Sequence, residues 1–251
     1  MWSGSAARID DVIVRWLTSV VGRSPTFDNI IAILSHGEQT NGAIIMSIFW
    51  WYWFRQSDRT TRHRTREHLL CTMFAATVGL FAARILALML PFRTRPRFEP
   101  HSQLNWPAAP DSLSFVGWSA FPSDHAVMFC ALATGLCFVS WRAGVGALFF
   151  ALFIVSFPRV YFGLHYPTDV LAGATLGALI AYGMNAVVVR RQFASRVLLW
   201  EQRSPQGFYV TLFILTFEFA TMFNALRHGA RAAFDLGARL LAAALATVSG
   251  R

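Results

Sequence analysis

The sequence predicts an all-α fold, a polytopic membrane bundle of about six transmembrane helices with amphipathic interfacial helices at its two ends. Three observations predict it. The chain is 55% hydrophobic and only 14% charged, whereas soluble domains carry about 25% charged residues. Five or six apolar segments approach the length of about 20 residues needed to cross hydrocarbon. Every basic residue is an arginine, and the arginines fall in short clusters between those segments. A net charge of +9 would also suit nucleic acid. Clustering in loops instead fits a bilayer, so lipid is the expected partner and nucleic acid is not.

The elements follow in order. Over residues 7–33, Ile9, Val12, Ile13, Trp16, Leu17 and Val20 recur at helical spacing, with Asp10, Asp11, Arg15 and Thr18 between them. This is an amphipathic pattern, expected to lie at the interface. The start lacks the basic region and apolar core of a cleavable signal peptide. Apolar spans are expected at 41–54, 68–90, 124–141, 143–157, 167–189 and 207–226, the last with Glu218 near its middle. An acid there is a functional candidate or an arginine partner. The tail, 227–251, repeats an Ala/Leu-rich amphipathic pattern. No linker or repeat divides the chain, so 1–251 reads as one domain: an interfacial segment 1–40, a bundle 41–226 and an interfacial tail. Cys71, Cys130 and Cys137 sit in apolar runs without metal or disulfide spacing and read as small buried hydrophobes.

Arginine placement sets an expected orientation. Arg55, Arg59, Arg62, Arg64 and Arg66 follow the first span, Arg142 joins the third to the fourth, and Arg190, Arg191, Arg196 and Arg203 follow the fifth. These three loops alternate onto one side, expected to be cytoplasmic. Six spans would put the tail's arginines outside, against the same rule.

Three clusters then share the outer face. The first is Arg84 with Pro91-Phe92-Arg93-Thr94-Arg95-Pro96. The second is Phe121-Pro122-Ser123-Asp124-His125. The third runs from Arg159 through His165 to Asp169. Each has an ordinary structural explanation: Ser123 as a helix N-cap, Pro167 and Asp169 as helix-start residues. Capping does not explain His125, and the helix start it occupies suits a phosphate. His165 lies four residues before Asp169, a spacing that fits a His–carboxylate hydrogen bond. Arg159 offers a bidentate phosphate clamp.

These residues resemble the type 2 phosphatidic acid phosphatase family, whose signatures are Lys-x6-Arg-Pro, Pro-Ser-Gly-His and Ser-Arg-x5-His-x3-Asp. The chain has Arg95-Pro96, then Pro122-Ser123-x-His125, then Arg159-x5-His165-x3-Asp169, all within 84–170. The resemblance implies that His165 attacks phosphorus, Asp169 orients it, and His125 protonates the leaving oxygen. It implies phosphate binding by Arg95, Arg159 and Ser123, with no cofactor and no metal.

Three positions depart from the signatures. Leu88 stands where the lysine belongs, with Arg84, one turn earlier, or Arg93 as substitutes. Asp124 replaces the glycine beside the phosphate site, where it is expected to point away and to cap or pair, and with Arg84 it counts among the phosphate-site candidates. Pro158 replaces the serine, and Ser156 is no obvious replacement. Aromatics of the 91–123 loop (Phe98, His101, Trp106, Phe115, Trp118) are expected to anchor at the interface or line a mouth for a lipid tail.

The expected function is hydrolysis of a lipid phosphate or diphosphate, most of all a polyprenyl (undecaprenyl) diphosphate, at the outer face of a bacterial inner membrane. The alternatives are a phosphotransferase with the same phosphohistidine and a lipid-binding member without turnover. Haloperoxidases share the signatures but are soluble. A channel or transporter is weakest, with Glu218 as its one clear mid-span charge.

Overall fold

A computed structural model describes residues 5–36, 38–99, 106, 117–224 and 226. The described residues are helical, without strands. In order they form α1 (Ser5–Val20), α2 (Pro25–His36), α3 (Glu38–Phe54), α4 (Arg59–Met89), a 3₁₀ turn (Pro96–Phe98) and α5 (Asp124–Cys137). Then come α6 (Trp141–Phe149), a π segment (Phe150–Ser156), α7 (Phe157–Tyr161), α8 (Pro167–Met184), α9 (Val187–Arg203) and α10 (Pro205–Ala220).

Among the described residues two helices are long and apolar enough to cross a membrane: α4, and the continuous stretch Trp141–Tyr161. A third results if the bent pair α8–α9 is one span. The segments expected at 41–54, 124–141 and 207–226 are shorter helices. At 1.5 Å per residue the 14 residues of α5 rise about 21 Å. Left-handed backbone at Met222 and Phe223 closes α10, so Glu218 sits in its last turn and accepts from the Leu226 N–H at 3.4 Å. It is not a mid-span charge. The tail 227–251, with its expected amphipathic helix, lies outside the described residues, as do His101 and Phe115.

The arginine-rich stretch expected as a loop is helical from Arg59. Asp58 caps it, its carboxylate accepting from Thr60 N–H at 3.0 Å and Thr61 N–H at 2.9 Å. α9 likewise absorbs the second arginine cluster. Its Arg190 pairs with buried Glu67 of α4 at 2.7 Å, and Arg66 pairs with Glu201 at 2.7 Å. His68 Nδ1 meets Asn185 Oδ1 at 2.8 Å, where α8 ends. Arg84 lies seventeen positions after Glu67, so this polar end stands about 25 Å along α4 from the first cluster.

α5 is the centre of the bundle, buried from Ala126 to Ala133, with α8, α4 and α6 around it. The contact with α8 depends on absent side chains: a Cβ on Gly173 would lie 2.6 Å from the Ser123 carbonyl oxygen, and one on Gly177 would overlap that of Val127. Beside α5, the fourth span widens to π geometry just before Pro158, which lacks an N–H and would collide with the preceding turn of a regular helix. Ser156 donates to the Ala151 carbonyl there at 2.8 Å, so it supplies no hydroxyl to replace the missing serine.

The segment 7–33 breaks at Gly22 (φ +79°) and Pro25 into two helices. α1 does not merely float at the interface. It packs on α7 and α8 with Asp10, Val14 and Leu17 buried, while Ile9, Val12 and Trp16 face outward.

Replacing Gly177 with alanine is expected to cost about 1–3 kcal/mol through overpacking. Thermal unfolding in detergent would read this as a lower midpoint. Gly183→Ala, where nothing lies within 4 Å of the new methyl, should leave the midpoint in place.

Candidate active site

The site forms where the end of α4, the starts of α5 and α8, and the loop after α7 converge. Backbone hydrogen bonds fix this convergence before any side chain acts. Ser123 N–H donates to the Asp169 carbonyl at 3.2 Å, joining the starts of α5 and α8. Arg97 N–H donates to the Gly163 carbonyl at 3.0 Å, and Ala120 N–H to the Arg93 carbonyl at 2.9 Å. Gly163 adopts φ +67°, a conformation glycine takes without steric cost. There the chain leaves α7 and brings His165 back under Arg159, whose carbonyl accepts from the Leu164 N–H at 2.9 Å.

His165 is buried, and its Nδ1 lies 2.7 Å from the Ala120 carbonyl oxygen. A carbonyl only accepts, so Nδ1 carries the proton and Nε2 holds a lone pair. That Nε2 faces Arg95, with Nη1 at 3.5 Å. Burial, and next the charge of Arg95, hold the imidazole well below its ordinary pKa, so near neutral pH it is the uncharged, nucleophilic form.

The hydrogen bond expected from His165 to Asp169 is absent: Nδ1 stands 3.9 Å from Oδ2. The i, i+4 argument assumes that both residues are helical, whereas His165 precedes the start of α8. Asp169 Oδ2 instead accepts from the Tyr166 N–H at 2.7 Å, so it holds the turn that carries His165. Its Oδ1 pairs with Arg93.

Arg95 is buried, donating to the Leu164 carbonyl at 2.8 Å and the Trp118 carbonyl at 3.4 Å. Burial lowers its pKa to about 10, which leaves it charged. Arg159, also buried, reaches His125, with Nη2 2.8 Å from Nε2. An arginine only donates, so this nitrogen of His125 accepts and its ring is neutral as arranged. Ser123 occupies the N-cap position of α5 without capping it. Its hydroxyl is fully buried with no hydrogen-bond partner among the described residues, a costly state that a phosphate oxygen would relieve.

The substitutes for the signature lysine fare differently. Leu88 is 86% exposed on the outside of α4. Arg84 pairs with Asp124 and stacks on Trp118, 4.3 Å from the ring centroid. The two departures at Arg84 and Asp124 thus compensate each other. Arg93 is no substitute: its guanidinium is spent on Asp169, on Asp10 at 2.6 Å and on the Thr168 hydroxyl at 2.9 Å. Asp10 was read only as part of the polar face of α1, and Ala120 was not singled out. Nothing in sequence connects Asp10 to a residue 83 positions away, and a backbone carbonyl leaves no side-chain signal. Among the described residues no group of three or more His, Cys, Asp or Glu is placed to hold a metal ion.

The profile of the PAP2 superfamily matches residues 85–193. The bacitracin transport permease protein BcrC of Bacillus licheniformis is 30% identical over 156 residues, 62% of this chain and 70% of that protein. This chain belongs to the PAP2 superfamily. The undecaprenyl-diphosphatase BcrC of Bacillus subtilis is 25% identical over 155 residues, covering 62% and 72% of the two chains. A PAP2-type phosphatidylglycerolphosphate phosphatase structure from Bacillus subtilis aligns at a TM-score of 0.45 and 20% identity, over 73% of this chain and 86% of that one. The PAP2 match takes in all three signatures and leaves out Arg84 and Asp10.

Nitrogen NMR of a ¹⁵N-histidine sample should show His165 with its proton on Nδ1. The ring should remain neutral as pH falls through about 6.5, because a depressed pKa preserves the uncharged form to lower pH. Protonation at or above that value would contradict the burial argument.

Proposed function

We propose that the protein is an integral-membrane lipid phosphatase that hydrolyses a phosphate monoester or diphosphate of a lipid through a phosphohistidine on His165. The observation that carries this reading is the pairing of a buried, Nδ1-protonated imidazole with an arginine at its unprotonated nitrogen. His125 and Arg159 are close enough for their charges to bear on His165. A polyprenyl (undecaprenyl) diphosphate is the substrate class we favour, in line with the name of the Bacillus subtilis relative.

In the first step, the Nε2 lone pair of His165 forms a bond to phosphorus as the bond to the leaving oxygen breaks. His125 in its protonated form donates a proton to that oxygen. In the second step a water gives its proton to His125 and attacks phosphorus, the N–P bond breaks, and inorganic phosphate leaves. Arg95, Arg159 and the Ser123 hydroxyl hold the phosphoryl oxygens, and the N-terminus of α5 adds its positive dipole end. Positive charge gathered on His165 is stabilised by the Ala120 carbonyl and, at longer range, by Asp169. No step requires a metal.

The whole chain serves this site as one domain in a bacterial inner membrane. About six crossings would place the three signatures at the outer face and the arginines of α4 and α9 at the cytoplasmic one, as the arginine distribution favours. The outward apolar face of α1 suits the headgroup boundary.

In detergent without added metal, purified protein is expected to release phosphate from undecaprenyl diphosphate, undecaprenyl phosphate or phosphatidate. His165→Ala should lower release by at least about a thousandfold. Brief exposure to labelled substrate should trap an acid-labile, base-stable phosphoprotein in the wild type and none in His165→Ala. No release from any of the three lipids by folded protein would end this reading.

A second experiment addresses Arg84 and Asp124. Arg84→Ala leaves an unpaired carboxylate beside the phosphate, and KM is expected to rise about tenfold. Adding Asp124→Gly should recover most of that loss. Additive effects of the two changes would mean that the pair does not act as a unit.

A further inference from the structure

Asp10 belongs to a helix outside the family match, yet it is one of the most buried charged residues in the protein, at 1% exposure. It faces the end of the bundle where the nucleophile lies. Its Oδ1 accepts from the Thr168 N–H at 3.0 Å, and its Oδ2 accepts from the Thr168 hydroxyl at 2.5 Å and from Arg93 Nη2 at 2.6 Å. Asp10 therefore caps the first turn of α8 from a different helix. Arg93 donates through its other terminal nitrogen to Asp169 and stacks on Tyr166, 4.1 Å from the ring centroid.

Two carboxylates thus share one guanidinium. With both ionised, the trio carries a net charge of −1. Without the charge of Asp10, Arg93 would cancel Asp169 and leave the trio neutral. The same Arg93 anchors, through its carbonyl, the Ala120 peptide that accepts from His165. The trio consequently reaches His165 by two routes, a field across the 3.9 Å from Asp169 and the position of the Ala120 carbonyl. The other charged or titratable groups around it are Arg95 and Glu99 of the loop, Asp11 of α1, Tyr166, and, beyond His165, His125 and Arg159. Asp10 and Asp169 are both in direct contact with Arg93.

We infer that Asp10 is a positioning residue for the nucleophile: by sharing Arg93 with Asp169, it keeps a net negative charge behind His165 as that ring becomes cationic in the phosphoenzyme. This rests on the proposed phosphohistidine reading. It makes α1 a working part of the site, through a residue in a helix that the family match does not include.

Asp10→Asn tests it, because the amide retains an oxygen for Thr168 and nearly the same shape while losing the charge. In the full-length protein in detergent, kcat is expected to fall about tenfold with KM within about twofold of wild type. The ¹⁵N titration of His165, followed from about pH 7 down to about pH 4, should move to lower pH, because removing a nearby negative charge disfavours the imidazolium. Val14→Ala, a packing change on the same buried face of α1, should leave both the kcat of folded enzyme and the titration in place. A folded Asp10→Asn protein with wild-type kcat, or one whose kcat falls while the His165 titration stays put, overturns the inference. If wild-type protein releases no phosphate from any lipid, the functional reading fails by itself. The titration shift still tests the coupling of Asp10 to His165.

Discussion

The close approach of α5 and α8 is the constraint on which the site depends. Glycines at 173 and 177 let the two helices meet backbone to backbone, so that Ser123 N–H reaches the Asp169 carbonyl. The bond joins the helix start that carries Ser123 and His125 to the one that follows His165. A Cβ at Gly173 would press on the Ser123 carbonyl itself. Separation of the helices by even one methyl would therefore be felt at the phosphate position, since phosphoryl transfer relies on positioning more than on covalent chemistry.

Charge accounting shapes the rest. In a bundle made for lipid, an ion without a partner is expensive, and several of the described buried charges lie in ion pairs. Arg190 faces Glu67 at one end, and Arg93 faces Asp10 and Asp169 at the other. Arg95 is treated differently. The carbonyls of Leu164 and Trp118 orient its guanidinium, and Asp124 and Asp169 are near enough to favour its charge. Arg93 is thus tied to the scaffold by two carboxylates, while Arg95, only two residues on, turns toward His165.

What was legible in the sequence was whatever depends on short spacing. Arg159, His165 and Asp169 are set by one turn and one helix start, and the structure brings them together with Arg95, Ser123 and His125. The apolar runs located most of the helices, and Asp58 before Arg59 was an available helix-start signal in a stretch that its arginines made look like a loop. The rest was hidden for physical reasons. Helical periodicity does not extend across a helix start, so the four-residue spacing of His165 and Asp169 does not put them one turn apart. Apolar runs mark helices but not where they bend, so α8 and α9 read as a span and a loop. Asp10 and Arg93 meet only through tertiary structure.

The departures from the signatures are better understood as one coupled change than as three losses. Loss of the lysine at Leu88 costs little locally, because that side chain points away from the bundle. A lone carboxylate at Asp124 would repel substrate. Arg84, partly exposed and resting on Trp118, meets that carboxylate and leaves the pair neutral where the pattern has a lysine and a glycine. One positive charge is thereby withdrawn from the resting site. Arg95 and Arg159 are the two arginines nearest the imidazoles, beside His165 and His125 respectively. The Arg84 pair is more exposed than the Arg93 trio.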